Sequence, residues 1–176
     1  MLYKFDGKQP SVGNDTYISH SAEVIGNVTI GDDCYIGHGV IVRGDYGRIE
    51  IGDGVALEEG VIVHAPPDDT GYIGQKVTVG HGAILHGKRI GDMAVIGMGA
   101  VISIWSEIGE WSIIAEGSVV RMKKVVPPDT VAAGNPARIV RKVTPRDREF
   151  WLYGKQLYKE LAKKYLNEKM ERVDKY

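Results

Sequence analysis

The chain has a single cysteine, Cys34, only two phenylalanines, and no apolar run near the ~18 residues a membrane helix requires. One cysteine excludes an intrachain disulfide and gives no sign of an oxidising compartment. The opening Met1-Leu2-Tyr3-Lys4-Phe5-Asp6 lacks the apolar core of a secretory leader. A cytoplasmic location and no membrane partner are therefore expected. Excess charge is lacking too, with 22 Lys+Arg against 23 Asp+Glu and a net charge of −1 over 176 residues. Its distribution is lopsided. Residues 1–120 hold 7 basic and 16 acidic side chains, net −9, while residues 121–176 hold 15 and 7, net +8. The simpler reading is that the two halves pack against each other, within or between subunits, and no nucleic-acid partner is expected.

Glycine is abundant: 21 of the 23 lie before residue 118, many directly after Ile or Val. The pairs include Ile30-Gly31, Ile36-Gly37, Ile51-Gly52, Ile73-Gly74, Val79-Gly80, Ile90-Gly91, Ile96-Gly97 and Ile108-Gly109. Apolar residues in the same phase complete three runs: Ile30, Ile36, Val42; Ile51, Leu57, Val63; and Ile73, Val79, Leu85. After a five-residue step the series resumes at Ile90, Ile96, Ile102, Ile108, Ile114 and Val120. A hexapeptide period of one aliphatic and one small residue is the signature of a parallel β-helix. The aliphatic side chain points into a prism, the small residue allows the corner, and three hexads close a coil. A flexible glycine-rich segment would not hold its aliphatic residues in phase.

The rest reads differently. Val126-Pro127-Pro128-Asp129 interrupts the pattern and Gly134-Asn135-Pro136-Ala137 forms a turn. Thr144-Pro145-Arg146-Asp147 has the chemistry of a helix start: a capping hydroxyl, proline at the first helical position, and a carboxylate placed for a capping box. Phe150, Trp151, Leu157, Leu161, Tyr165 and Leu166 then follow helical spacing to about Met170. The expected organisation is a β-helix over 1–125, a connecting segment over 126–143, and a helix over 144–176 packing on the β-helix.

The repeat fixes where distant side chains fall. Arg43, His64 and His86 each follow the aliphatic residue of the third hexad, on successive coils, so they stack at one corner. Parallel strands lie about 4.8 Å apart, close enough for His64 and His86 to share an ion. His81 follows Val79 by two residues, one hexad earlier, and belongs to a different face. A second copy of the chain can supply it, because side-by-side prisms bring His81 of one to His64 and His86 of the next. Three histidines and one open position suit a catalytic zinc-type site, and a trimer is the simplest ring closed by such a contact. His38 has no ligand partner in phase and is read as structural; His20 receives no chemical role.

Arg43-Gly44-Asp45, Glu58-Glu59-Gly60 ahead of His64, and Val79-Gly80-His81 through Leu85-His86-Gly87 resemble the gamma-class carbonic anhydrase family over nearly the whole chain. The resemblance implies a mainly β fold, a left-handed parallel β-helix of hexapeptide repeats with a C-terminal α-helix. It implies a homotrimer with Zn2+, or Fe2+ or Co2+, between subunits, held by His64 and His86 of one chain and His81 of another. Arg43 and Asp45 would form an intersubunit ion pair supporting the site. The implied reaction is reversible hydration of carbon dioxide to bicarbonate, the ion lowering the pKa of its water from ~15.7 towards ~7 to give a hydroxide nucleophile. Glu58 stands where many members carry glutamine, and its carboxylate would accept a hydrogen bond from that water. Where the best-known branch has acidic proton-transfer residues, this chain has Tyr46 and Ala65-Pro66-Pro67, as in the shorter branch.

Other readings stay open. Gly134-Asn135-Pro136-Ala137-Arg138 resembles the ending of hexapeptide acyltransferases, which act on acyl-coenzyme A with one histidine as general base and no catalytic metal. A thioesterase using the same activated water, or a non-catalytic metal-retaining trimer, would share the prism, since fold alone does not separate these.

Overall fold

The computed structural model describes residues 1–168, 170, 171 and 173. The end of the segment expected to be helical, residues 169, 172 and 174–176, lies outside the described residues. The chain winds as a left-handed parallel β-helix of about 7 turns, closed on one side by a C-terminal helix. Two-residue strands recur on three faces, and the long strands Glu23–Ile30 and Ile41–Ile51 turn a corner to join two of those faces into one sheet. Among the described residues no helix is long and apolar enough to cross a membrane.

The hexad aliphatics fill the prism. Ile36, Leu57, Val79, Ile96 and Ile114 stack from one face, Val42, Val63, Leu85, Ile102 and Val120 from the second, and Ile30, Ile51, Ile73, Ile90 and Ile108 from the third; all are buried. Each contributes about 1.5–3 kcal/mol of burial, and the buried hydroxyls of Ser106 and Ser112 are satisfied by the backbone carbonyls of Ser103 and Pro127. Coil is bonded to coil by backbone pairs such as Gly80 N–H to Ile96 O (2.8 Å) and Gly97 N–H to Ile114 O (2.8 Å). Gly97 is required by this stacking, because a Cβ there would lie 2.5 Å from the Glu116 nitrogen on the next coil. The parallel ladder runs on past Pro127-Pro128: Thr130–Ala133 pairs in register with Ile113–Ile114, within the stretch expected as a connection. Arg138–Lys142 then returns antiparallel to it.

What the faces present outward differs. On the first, Tyr17, Tyr35, Ala56 and Thr78 lie in one register line, and the helix Pro145–Asn167 covers them. Ala162 is buried against Tyr35 and Ala56, flanked by Tyr17, Tyr158, Leu161 and Tyr165. The helix runs back along the prism, from Arg148 stacked 4.3 Å above the Trp111 ring to Tyr165 stacked 4.7 Å from Tyr17. Its start is a capping box: Asp147 N–H donates to Thr144 Oγ1 (3.2 Å), and Thr144 N–H donates to Asp147 Oδ2 (2.8 Å). The second face presents Ile41, Ile62, Ile84, Val101 and Val119 in one line, with Ile62 and Ile84 39% and 43% exposed. The third presents Thr29, Glu50, Tyr72, Arg89 and Glu107, a surface suited to water. One face is covered, one is polar, and one is apolar and bare.

Candidate metal centre

The bare apolar face is bounded by two corners, and the sequence-selected residues sit on them. At the corner leading to the polar face, Arg43 pairs directly with His64, and Val63 with Leu85, so His86 stacks next. The imidazoles of His64 and His86 have centroids 4.8 Å apart and are inclined by 28°. The opposite corner, leading from the helix face, carries His81 in a turn that Gly82 completes at φ +67°, a conformation other residues adopt only with strain. The His81 side chain is 47% exposed.

Carboxylates hold each corner. Asp45 Oδ1 lies 2.9 Å from His64 Nε2, and its Oδ2 accepts from Arg43 Nη1 at 2.9 Å. Burial works against the Asp45 charge, but His64, the Tyr46 N–H and Arg43 together keep its pKa below the ordinary carboxylate value. His81 Nε2 lies 3.0 Å from Glu58 Oε2, and its Nδ1 lies 2.8 Å from Glu59 Oε2. Glu58 also accepts from the His81 N–H at 3.2 Å and is hydrogen-bonded by Tyr158. Burial raises the Glu58 pKa, with His81 and Tyr158 opposing the shift. The neighbouring Glu59 is partly desolvated, yet the Tyr35 hydroxyl donating at 2.6 Å and the nearby histidines keep its pKa low. Desolvation, then the proximity of His64, lowers the pKa of His86 and favours the neutral imidazole, the form that binds metals.

Glu59, Tyr35 and Tyr158 were not singled out from the sequence. Glu59-Gly60 repeats the His81-Gly82 corner one coil earlier, which is the signal that identifies it. His38 and His20 occupy the same corner, their rings 5.9 Å apart, with His38 Nδ1 2.6 Å from Ser19 Oγ. His38 is thus anchored by a buried hydroxyl, in keeping with a structural role.

Among the described residues, no group of three or more His, Cys, Asp or Glu side chains is placed within the chain to hold a metal. The chain brings two imidazoles together with the donor chemistry a zinc-type ion takes, and sets the third on another edge of the same face. Two imidazoles alone fall short of the three or four protein ligands that a zinc-type ion takes.

Residues 9–44 match the family described as bacterial transferase hexapeptide (six repeats), and residues 27–65 and 72–103 match hexapeptide repeat of succinyl-transferase. A carbonic anhydrase of Geobacillus kaustophilus is 36% identical over 84% of this chain and 81% of its own length. Gamma carbonic anhydrase 2 of Arabidopsis thaliana mitochondria is 32% identical over 96% of this chain and 62% of its own. The chain belongs to the gamma-class carbonic anhydrase family. It spans a little under two thirds of the Arabidopsis relatives. Family likeness extends beyond named anhydrases, for the carnitine operon protein CaiE of Citrobacter koseri is 40% identical over 91% of this chain and 81% of its own. Among solved structures, a hexapeptide transferase family protein of Anaplasma phagocytophilum superposes with a TM-score of 0.88 at 32% identity, covering 93% of this chain and 97% of that one.

Proposed function

We propose that the chain acts as a gamma-type carbonic anhydrase, a homotrimer interconverting carbon dioxide and bicarbonate at metal sites shared between subunits. The observation that carries this reading is the placement of both histidine corners on the two edges of the one bare apolar face. If each prism turns that face to a three-fold axis, Ile41, Ile62, Ile84, Val101 and Val119 leave water together. Each His64–His86 corner then abuts the His81 corner of the next copy.

His64 and His86 of one chain and His81 of its neighbour would hold Zn2+, or Fe2+ or Co2+. Such an ion supplies Lewis acidity that activates water for attack on carbon dioxide near neutral pH. The chain's own groups prepare the site. Glu59, at His81 Nδ1, fixes the ring's orientation and tautomer, as outer carboxylates do for metal-binding histidines. Glu58, buried and held by Tyr158, offers Oε2 as an acceptor for water at the site. Arg43 and Asp45, bonded within the chain here, become the ion pair that locks the subunit boundary when exchanged between neighbours.

Stopped-flow carbon dioxide hydration on zinc- and iron-loaded protein tests the reading, with a metal-dependent rate above buffer as the expected result. The likeness to a hexapeptide transferase family protein supports a second reading, acyl transfer. A metal-free trimer that binds acyl-coenzyme A and hydrates no carbon dioxide would replace the first reading with it.

A further inference from the structure

The spacing that sets His81 against His86 recurs along the prism. His81 and His86 are five residues apart on one coil, at the two edges of the apolar face. Glu116 and Arg121 are also five apart and occupy the same two edges two coils further on. The register establishes the equivalence. Val79 aligns with Ile96 and Ile96 with Ile114, placing His81, Met98 and Glu116 in one corner column. Leu85 aligns with Ile102 and Ile102 with Val120, placing His86, Ser103 and Arg121 in the other. No register shift interrupts either ladder between these coils, so both edges stay straight.

A closed ring about an axis parallel to the prisms has no axial translation, so equal coils face each other across every boundary. Any packing that brings His81 to the next copy's His86 therefore brings Glu116 to that copy's Arg121. The charges are complementary. Both side chains are exposed, and among the described residues neither has an ion-pair partner in its own chain. Between the two edges lies the aliphatic line ending in Val101 and Val119, so the pair would close the rim of an apolar contact.

We infer that Glu116 forms an ion pair with Arg121 of a second copy of this chain, repeated at each boundary of the trimer, and that this set fixes the axial register on which the shared histidine site depends. The inference rests on the trimeric reading above. It assigns the pair a positioning role, since neither residue touches the reacting atoms.

Charge reversal tests it by light scattering coupled to size exclusion, over a dilution series, with zinc content measured in parallel. Glu116→Arg or Arg121→Glu alone places like charges at every boundary. Each should raise the concentration for half-dissociation about tenfold or more and lower zinc retention with it. The double variant E116R/R121E should return both to near wild-type values, which a merely local effect on folding would not do. Circular dichroism should be unchanged in all three, because both sites are exposed. A wild-type protein that is monomeric would sink the trimeric reading itself. A trimeric wild type whose single reversals assemble and bind zinc normally, or whose double variant is no better than the singles, would overturn this pairing alone.

Discussion

Replacing Lys155 by methionine removes a buried amine from beneath the C-terminal helix. Lys155 is 9% exposed, and its Nζ donates to Thr78 Oγ1 at 3.1 Å and Ala94 O at 3.4 Å. Among the described residues no carboxylate pairs with it, and burial lowers its pKa to about 7 from an ordinary 10.5. The folded state thus binds this proton less tightly than the unfolded chain does. Between about pH 7 and 10.5 the unfolded chain carries the proton while the folded one increasingly does not, so stability rises with pH across that window. Below about 7 the full cost of a buried charge is present. At about 1.4 kcal/mol per pKa unit that cost is about 4 kcal/mol near pH 7. Methionine leaves the Thr78 and Ala94 acceptors without a donor, returning about 1–2 kcal/mol. The net expectation is a gain of about 2–3 kcal/mol at pH 7, shrinking to a loss of about 1–2 kcal/mol above pH 10.5. Thermal unfolding at fixed protein concentration, at pH 6, 7, 8.5 and 10, reads both the gain and the flattened pH dependence. Parallel Tm curves for the two proteins would refute the reasoning, because they would mean the amine is solvated in the folded state.

His81→Ala should abolish metal binding, measured by elemental analysis, while Tm of the metal-free protein shifts little, since the side chain is 47% exposed and fills no core position. Asp45→Ala removes the carboxylate that contacts both His64 and Arg43, and metal affinity should fall about 10–100-fold in a competitive chelator titration. Thr144→Ala deletes the hydroxyl of the capping box and should cost about 1 kcal/mol in chemical unfolding, with no change in metal content.

The prism was legible because its signal is redundant: each inward position repeats on coil after coil, and every aliphatic the hexad phase selects is buried, although the core also takes in Val40, Val55, Val61 and Val77 from outside that series. The stacking of His64 on His86 follows from the same arithmetic. The helix start at Thr144-Pro145 was legible because a cap is local chemistry. The helix's docking face was harder to read, although Tyr17 and Tyr35 stand in line on the face it covers. Outward positions do not carry the repeat, and their meaning depends on a segment more than 100 residues distant. Lys155 reads as a solvated charge on an amphipathic helix, and its burial emerges only once Thr78 and Ala94 lie beneath it. Continuation past Pro127-Pro128 was obscured because proline interrupts the aliphatic pattern, whereas the coil needs only a corner there. Glu59, part of the Glu58-Glu59-Gly60 motif, carries no role of its own in the sequence because neighbouring Glu58 occupies the family's known position, although the corner glycine after it marks it as the equivalent of His81.

Subunit complementation tests the shared-site account most directly. His64→Ala and His81→Ala proteins, each unable to complete a metal site alone, are denatured together in equal amounts and reassembled. If the site spans two copies, every mixed trimer regains one intact site, and random assembly restores about one quarter of wild-type metal content and hydration activity. No recovery from a mixture that refolds to trimers as efficiently as each variant alone would contradict the account, because a site contained within one chain cannot be rebuilt by mixing.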